Sequence, residues 1–402
     1  MSPTVVATAV VFALTYLVLG LGALPPLRLD RTGAALVGAT LMVAIGALTP
    51  TEALASVDLA TLALLFGMMV VAAHLRLAGF FGWCTTRVLG WTRSPRVLLV
   101  LTVWLSGVLS ALFVNDTVCV LLTPLVVEVA LTAGLPVVPF LLAVAMGSNA
   151  GSVATVVGNP QNMLIATTGA IPYGRFAAAL APVALGALVI VSVVLLVAHA
   201  RELPHAPVTP TRARARLHRP LLAKTLAVAA GLLVALLAGV PSALAAMCAA
   251  SVLLVTRRVR PGRVHALVDG PLLALFAGLF VVVEGLERTG LAATATAALE
   301  QVLTGPVGFV AVTTVLSNLV SNVPAVLLLE PTAAAAADPE RARLVLAMAS
   351  TLAGNLTLVG SVANLIVVAQ AGPHARVGFL HYARLGLPIT LLTLVWGIAW
   401  LR

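Results

Sequence analysis

Charged residues are scarce in this sequence: Asp, Glu, Lys and Arg together make up 9% of its 402 residues, against 61% hydrophobic residues. Lysine is nearly absent, since Lys224 is the only one. A soluble globular domain, with about 25% charged residues, is therefore excluded. Apolar runs of about 17 to 25 residues recur from end to end, and that length crosses the hydrocarbon core of a bilayer. The sequence predicts an all-α polytopic membrane protein with about 10 to 11 spans.

Cysteines and catalytic motifs are also rare. Cys84, Cys119 and Cys248 are isolated, without CxxC spacing, so neither a disulfide framework nor a zinc site is expected. The sequence contains no HExxH or GxSxG motif, no paired acids and no Walker A motif. These absences argue against an intramembrane enzyme and against an ATP-driven pump within this chain. We expect no catalytic residues and no cofactor, apart from a coupling ion for which bound Na+ is a candidate.

The formal net charge of +10 would suggest a nucleic-acid partner in a soluble protein, but here the arginines lie between apolar runs. Such clusters mark cytoplasmic loops, because positive residues are retained on the cytoplasmic side. They lie at residues 28–31, 76–96, 201–219, 257–263 and 376–384. The sequence therefore predicts a multi-pass protein of the cytoplasmic (inner) membrane, surrounded by lipid and without a nucleic-acid partner.

Three blocks of the first half recur in the same order in the second half, at offsets of 211, 207 and 202 positions. The matching blocks begin at Asp58 and Asp269, at Val114 and Ser321, and at Ala154 and Leu356. With the arginines on one side, the second unit is upside down relative to the first. Inverted repeats with interrupted helices are typical of secondary transporters.

This organisation divides the chain into five predicted segments. They are N-terminal scaffold helices at residues 1–57, a first repeat core at 58–172, connecting and scaffold helices with basic cytoplasmic loops at 173–268, a second repeat core at 269–371, and a C-terminal helix at 372–402.

One pair of matching blocks places polar residues in apolar surroundings. A carboxylate at membrane depth is costly, so Asp116, within "ALFVNDTVCVLLTP", needs an explanation. The apolar arms Trp104–Phe113 and Val118–Leu131 are too short to span separately, whereas residues 114–117 prefer turns and caps. The sequence predicts a re-entrant hairpin with its tip at residues 114–117, and a second with its tip near residues 317–324.

Another pair of blocks combines glycine with amide side chains, in "GSNAGSVATVVGNPQNML" from Gly147 and "STLAGNLTLVGSVANLI" from Ser350. Gly147, Gly151, Gly158 and Pro160 are expected to interrupt one helix near residues 147–161. Gly354 and Gly360 are expected to interrupt another near residues 354–364. A helix break exposes carbonyl groups to a cation and N–H groups to an anion near the membrane midplane. Alternatively, the glycines allow close packing of helices.

These blocks resemble the ion transporter superfamily, which includes ArsB-type arsenite permeases, NhaD-type sodium/proton antiporters and the divalent anion/sodium symporters. The resemblance covers roughly residues 55–400, and "GNPQNM" and "ND" are most similar to the ArsB-like anion permeases. In the symporters, two opposed hairpin tips and two glycine-containing breaks hold sodium and substrate, and a transport domain moves like an elevator. The resemblance implies tip positions for Asn115 and Asn322, break positions for Gly158 and Gly360, and a homodimer.

The first tip departs from the symporters, because Val114-Asn115-Asp116 stands where they have Ser-Asn-Thr. The Asp116 carboxylate would repel an anion unless it is protonated or neutralised. It is therefore a candidate coupling group for H+ or Na+, or it marks a site for a neutral substrate such as arsenous acid. The predicted substrate-binding residues are Asn115, Thr117, Asn159, Asn162, Ser321, Asn322, Asn355 and Asn364. The predicted ion-coupling residues are Asn115, Asp116, Gly158, Asn322 and Gly360, with Na+ sites at Asn115, Asp116 and Gly158 and at Ser321, Asn322 and Gly360.

The leading hypothesis is an H+- or Na+-coupled secondary transporter for a small anion or oxyanion, with arsenite efflux as its most specific form and an elevator-type mechanism. The alternative is an Na+/H+ antiporter of the NhaD type, in which Asp116 exchanges the two cations. Direction and stoichiometry stay open. Cys119, one turn after Asp116, is either a soft ligand for As(III) or a small packed residue, and Glu128 is either structural or functional.

Overall fold

The computed structural model describes residues 2–24, 28–204, 206–207, 217–291, 305–372 and 375–402. This part of the chain is helical except for its loops and one antiparallel pair of two-residue strands, Ala23–Leu24 and Leu29–Asp30. Eight of the described helices are long and apolar enough to cross a membrane, and five shorter apolar helices accompany them. The prediction of an all-helical polytopic membrane protein is confirmed. Fewer single helices qualify as spans than the predicted 10 to 11, because several of the apolar runs form helices of only 10 to 17 residues.

The helices of the first half are α1 (Pro3–Leu21), α2 (Arg31–Ala44), α3 (Pro50–Ala55), α4 (Leu59–Ala78), α5 (Phe80–Leu89), α6 (Pro95–Leu112), α7 (Asn115–Thr132), α8 (Val137–Ser152), α9 (Pro160–Thr168) and α10 (Tyr173–Ala198). Those of the second half are α11 (Arg219–Leu237), α12 (Ser242–Leu254), α13 (Pro261–His265), α14 (Gly270–Glu287), α15 (Pro306–Val320), α16 (Asn322–Ala334), α17 (Pro339–Ala353), α18 (Val362–Ala371) and α19 (Phe379–Trp400).

The second half repeats the helix order of the first half. Helices α1 to α4 correspond to α11 to α14, and α6 to α10 correspond to α15 to α19. The counterpart of α5 would fall among residues 292–304, which lie outside the described residues. The correspondence therefore extends beyond the two predicted repeat cores, to the helices that precede and follow them.

Two equivalent helix crossings hold the halves together. A Cβ atom on Gly67 of α4 would lie 2.7 Å from the backbone carbonyl carbon of Ala246 in α12, and one on Gly278 of α14 would lie 2.8 Å from that of Ala35 in α2. Both glycines and both alanines are 211 positions apart, so each crossing is a copy of the other. Small residues at these points let the helix backbones approach closely, as is common inside membranes.

Each half also contains a helical hairpin. Helix α6 meets α7 at Phe113-Val114, and α15 meets α16 at Ser321, whose φ of 77° is in the left-handed region. The prediction of short first arms was wrong, because α6 and α7 have 18 residues each. Asn115, Asp116 and Thr117 form the first turn of α7 instead of a non-helical tip. The Asn115 side chain accepts a hydrogen bond from the Asp116 amide at 2.9 Å, which satisfies one of the unpaired N–H groups at the helix start.

Two helices are interrupted where the sequence predicts breaks. Helix α8 ends at Ser152, a 3-10 turn follows at Val156–Gly158, and α9 begins at Pro160. In the second half α17 ends at Ala353, the turn is Leu358–Gly360, and α18 begins at Val362. The side chains of α8 are buried from Pro139 to Ser152, so this helix lies in the centre of the molecule.

The two ends of the helix bundle differ in their charges. Arg175–Glu340, Arg343–Glu330 and the cluster of Arg288 with Glu52 and Glu284 form ion pairs at one end, which we name the ion-paired end. There the backbone amide and hydroxyl of Thr49, together with Arg288, lower the pKa of Glu52 to about 2. The opposite end holds the start of α2 beside the start of α14, joined by a hydrogen bond from Thr32 to the Pro271 carbonyl. It carries the arginine clusters at residues 28–31 and 257–263, and we name it the arginine-rich end.

Candidate functional site

A cavity of about 70 Å³ lies where the two hairpins meet the two helix breaks. Its lining comprises Asn115 and Asp116 of the first hairpin, Val320 to Pro324 of the second, Pro160, Gln161, Ser361 and Val362 at the starts of α9 and α18, and Leu19, Arg31, Leu272, Leu275 and Phe276 of the surrounding helices. The two predicted hairpins and the two predicted helix breaks thus all contribute to one cavity.

The cavity contains charges of both signs. Among the described residues that line it, Asp116 is the only acidic one and Arg31 the only basic one. Both are half-buried. Arg31 Nε donates to the Leu19 carbonyl at 3.0 Å, which ties the start of α2 to the end of α1. Sequence reasoning missed Arg31, because its cluster was assigned to topology and no local pattern indicates that residue 31 lies beside residue 116.

Asn149 of α8 forms the centre of a buried amide network. Its Nδ2 donates to the Oδ1 atoms of Asn355 and Asn364, at 3.0 Å each. Its Oδ1 accepts from Asn115 Nδ2 at 3.3 Å and from Ser361 Oγ at 3.2 Å. All the hydrogen-bonding capacity of this amide is used. Asn149 therefore connects the first hairpin to the break of the second half.

Thr351 of α17 occupies the equivalent position, 202 residues later, and makes the reciprocal connection. Its hydroxyl accepts from Asn159 Nδ2 at 3.1 Å and lies 3.3 Å from Gln161 Nε2 and from Asn162 Oδ1. Each half therefore supports the helix break of the other. Neither Asn149 nor Thr351 was among the predicted site residues, although the repeat alignment pairs them.

Two of the predicted substrate-binding amides hold their own helix breaks together. Asn162 Nδ2 donates to the carbonyl oxygens of Ser152 and Thr155, at 3.0 Å each. Asn364 makes the same two bonds in the second half, at 2.7 and 3.1 Å. The carbonyls of Ser152 and Gly354 lie at the ends of interrupted helices, where no amide of a following helical turn is available. The carbonyls of Thr155 and Thr357 also accept from the Gly158 and Gly360 amides within each break.

Asn322 at the second hairpin joins both halves. With its amide nitrogen facing two carbonyl oxygens, it donates to Ser350 at 3.1 Å and to Gly360 at 3.2 Å. Its Oδ1 then accepts from Gln161 Nε2 at 3.2 Å. Gly360 itself is tightly packed, since a Cβ atom there would lie 2.5 Å from Asn318 Oδ1. Gly158 likewise packs closely against the Ser152 carbonyl of its own helix break.

The predicted site residues divide into two groups. Asn115, Asp116, Ser321 and Asn322 line the cavity. Among the described residues, the lining does not include the other predicted ones, which are Thr117, Gly158, Asn159, Asn162, Asn355, Gly360 and Asn364.

Cys119 and Glu128, whose roles the sequence left open, lie away from the cavity lining. Cys119 is fully buried, with its Sγ 3.1 Å from Ser148 Oγ, whereas Glu128 is exposed near the end of α7. No group of three or more His, Cys, Asp and Glu side chains suited to a metal ion occurs in the described part of the chain.

Equivalent contacts of the two halves differ at this site. In the first half Asp58, the N-cap of α4, accepts a hydrogen bond from Thr167 Oγ1 of α9 at 3.1 Å, and the Thr61 hydroxyl also contacts Thr167. In the second half the counterparts of Asp58 and Thr167 are Asp269 and Ala369, and Ala369 has no hydroxyl group to make the equivalent hydrogen bond. The cavity lies instead between the first turns of α14 and the start of α18. The α4–α9 interface is therefore closed by hydrogen bonds, whereas the α14–α18 interface borders the cavity.

Comparisons with known proteins agree with this architecture. A family model described as citrate transporter, CitMHS, matches residues 10–343. The silicon efflux transporter LSI3 of Oryza sativa subsp. japonica is 33% identical over 472 aligned residues, which cover 98% of this chain and 97% of that protein. A Dictyostelium discoideum protein named as an arsB transporter is 26% identical and covers 92% of this chain and 87% of its own length.

A solved structure shares the fold. The YdaH transporter of Alcanivorax borkumensis aligns with 100% of this chain and 97% of its own, with a TM-score of 0.56 and 15% identity. The family match covers most of the chain and confirms the resemblance to the ion transporter superfamily. The chain therefore belongs to the CitMHS citrate transporter family and is a multi-pass membrane transporter, not an enzyme.

Proposed function

We propose that this protein is a secondary transporter that exports a small oxyanion, or the uncharged acid from which it forms, in exchange for H+ or Na+. The observation that carries this proposal is the cavity at which both hairpins and both helix breaks meet around one acidic and one basic side chain. Buried polar groups gathered at interrupted helices are typical of substrate sites in secondary transporters.

The charges of the cavity favour a small oxyacid over a tricarboxylate such as citrate. Arg31 and Asp116 balance each other, so a trianion would be poorly compensated. Silicic and arsenous acids are small, rich in hydroxyl groups and uncharged near neutral pH. The amide oxygens of Asn115, Gln161 and Asn322 keep acceptor capacity for such hydroxyls, and the Asn115 amide keeps one N–H donor. One relative is named for silicon efflux and another is named arsB, which supports the same class of cargo.

The orientation follows from the two ends of the bundle. Arginine clusters are retained on the cytoplasmic side, so the arginine-rich end would face the cytoplasm in a cytoplasmic membrane. The cavity is bordered there by the end of α1 and the starts of α2 and α14. In this orientation the two halves are inverted repeats, and the hairpins α6–α7 and α15–α16 enter from opposite sides as re-entrant pairs. The cavity then lies on the cytoplasmic side of the α14–α18 interface.

Alternating access follows from the difference between the halves. The Asp58–Thr167 contact closes the interface between α4 and α9 at the ion-paired end. Movement of the hairpins and helix breaks against α1–α4 and α11–α14 would open this interface and close its counterpart between α14 and α18. An elevator-type displacement is the form of this movement that the family resemblance implies.

Asp116 is the proposed coupling group. Its carboxylate and the Asn115 amide oxygen are hard oxygen ligands that suit Na+, and the carboxylate alone suits H+. Gly158 and Gly360 fit a direct sodium contact less well, because both are packed against other groups behind the lining. In a second Na+ site at Ser321 and Asn322, the ion would share the Asn322 amide oxygen with the Gln161 N–H group that donates to it.

Flux in proteoliposomes under imposed pH or sodium gradients tests the proposal, with silicate, arsenite and citrate compared. Asp116→Asn should reduce gradient-driven flux of the transported solute at least tenfold, because it removes the ionisable group without changing its size. Glu128→Gln is the matched control, since Glu128 lies exposed on the same helix. Proton-for-sodium exchange without any solute would instead indicate the antiporter. Flux of citrate alone would contradict the proposed substrate class.

A further inference from the structure

We infer that Arg31 contacts the substrate and binds an oxygen of the oxyacid. This inference rests on the proposed function and extends it to a residue of α2, outside the hairpins and helix breaks. It assigns to Arg31 a part in setting the affinity of the cavity for the transported solute.

The side chain of Arg31 is held in place with most of its donors uncommitted. Asp30 caps α2 by accepting from the Gly33 amide at 2.7 Å, which fixes Arg31 as the first residue of the helix. Arg31 Nε donates to the Leu19 carbonyl at 3.0 Å. A guanidinium has five N–H donors, and the Nη donors of Arg31 have no hydrogen-bond partner among the described residues. A half-buried guanidinium at a cavity wall with free donors is suited to an incoming acceptor.

The repeated architecture does not need a cation at this place. The counterpart of Arg31 is Ser242, the first residue of α12, and the counterpart of Asp116 is Val323, the second residue of α16. The second half therefore forms the same helices without either charge. Arg31 and Asp116 are additions to one half, which indicates a role in the cavity and not in forming α2.

The opposing wall of the cavity supplies the complementary groups. Asp116 and Arg31 line the same cavity but form no direct ion pair within the described structure, so space for a ligand remains between them. The planar fork of a guanidinium matches two oxygens of an oxyacid, which a lysine ammonium cannot do. The ligand class is therefore a small oxyacid with two adjacent oxygens, bound between Arg31 and the amides of Asn115 and Asn322.

Arg31 also belongs to a basic cluster, so a purely topological role is the competing explanation. Arg28 separates the two explanations, because it lies three positions away in the same cluster, is exposed and is absent from the cavity lining. Removal of either arginine takes one positive charge from the same loop. Only removal of Arg31 changes the cavity.

The experiment is equilibrium binding of silicate and of arsenite to the purified full-length protein, by calorimetry, for wild type, Arg31→Gln, Arg31→Lys and Arg28→Gln. Loss of one charged hydrogen-bonding group should weaken binding about 10- to 100-fold in Arg31→Gln. Arg31→Lys should weaken binding less, because it keeps the charge but not the fork, and Arg28→Gln should bind like wild type. If Arg31→Gln does not fold, Arg31→Lys carries the test.

Wild-type affinity in both Arg31 variants, or equal weakening in Arg28→Gln, would overturn the role of Arg31 and leave the proposed function standing. Absence of binding by the wild type to either oxyacid would overturn both.

Discussion

At the scale of single residues, buried amide side chains occupy two kinds of position in this protein. Asn162 and Asn364 donate to carbonyls of their own helix breaks, whereas Asn115 and Asn322 border the cavity. Asn149 connects the two groups, since it bonds to Asn115 on one side and to Asn355 and Asn364 on the other. The lining of the cavity and the support of the helix breaks therefore depend on chemically identical side chains.

Asn149→Ala should lower the apparent Tm of the purified protein, with a loss of about 2 kcal/mol or more, because it leaves several buried polar groups without partners. Ser148→Ala is the control, since the Ser148 hydroxyl donates to the Ala145 carbonyl of its own helix and otherwise meets only the Cys119 thiol, a weak hydrogen-bonding group. Equal Tm values for the two variants in the same detergent would contradict a central role for Asn149.

The Asn-Asp-Thr triplet shows what sequence could and could not predict at this scale. Its polarity within an apolar run indicated Asp116, and this residue lines the cavity. The sequence predicts a non-helical tip for the same residues, yet they form the first turn of α7. Residues that favour helix caps also favour first turns, so propensity alone does not separate the two. The sequence did not indicate Arg31, because its place in the cavity lining beside residue 116, 85 positions away in sequence, is not reported by any local pattern.

At the scale of helices, glycines at two equivalent crossings set the distance between the halves. Gly67 packs on Ala246 and Gly278 on Ala35, each with room for a hydrogen atom only. The repeat alignment paired these two glycines from sequence. What they contact was not predictable, because each meets the half of the chain to which it does not belong.

Gly67→Ala and Gly278→Ala should each destabilise the protein by about 1 to 3 kcal/mol, because the added methyl group forces two helix backbones apart. Gly231→Ala in α11 should be tolerated, since nothing lies within 4 Å of a Cβ atom there. Thermal unfolding of the three purified variants measures the difference. Loss of stability in only one of the two equivalent variants would argue against equivalent crossings.

At the scale of the whole molecule, one duplicated framework carries an unequal set of contacts. The framework itself could be predicted in outline, because glycine and amide residues mark both helix breaks in sequence, with a proline at the first. The difference in contacts between the two halves could not be predicted from sequence, since it depends on which of two similar interfaces is closed. Thr167 meets Asp58 and Thr61 at the ion-paired end, and the cavity occupies the equivalent interface at the arginine-rich end.

A disulfide across the closed interface tests alternating access about this cavity most directly. The hydroxyls of Thr61 and Thr167 are in contact, so the double variant Thr61→Cys and Thr167→Cys should form a disulfide that mass spectrometry can verify. The measurement is silicate flux in proteoliposomes before and after oxidation, with each single variant as a control. Silicate is used as the solute because arsenite would react with the paired thiols. We predict that oxidation abolishes flux, that a reductant restores it, and that silicate binding to the oxidised protein persists. Undiminished silicate flux through the verified disulfide-bonded protein would contradict the account.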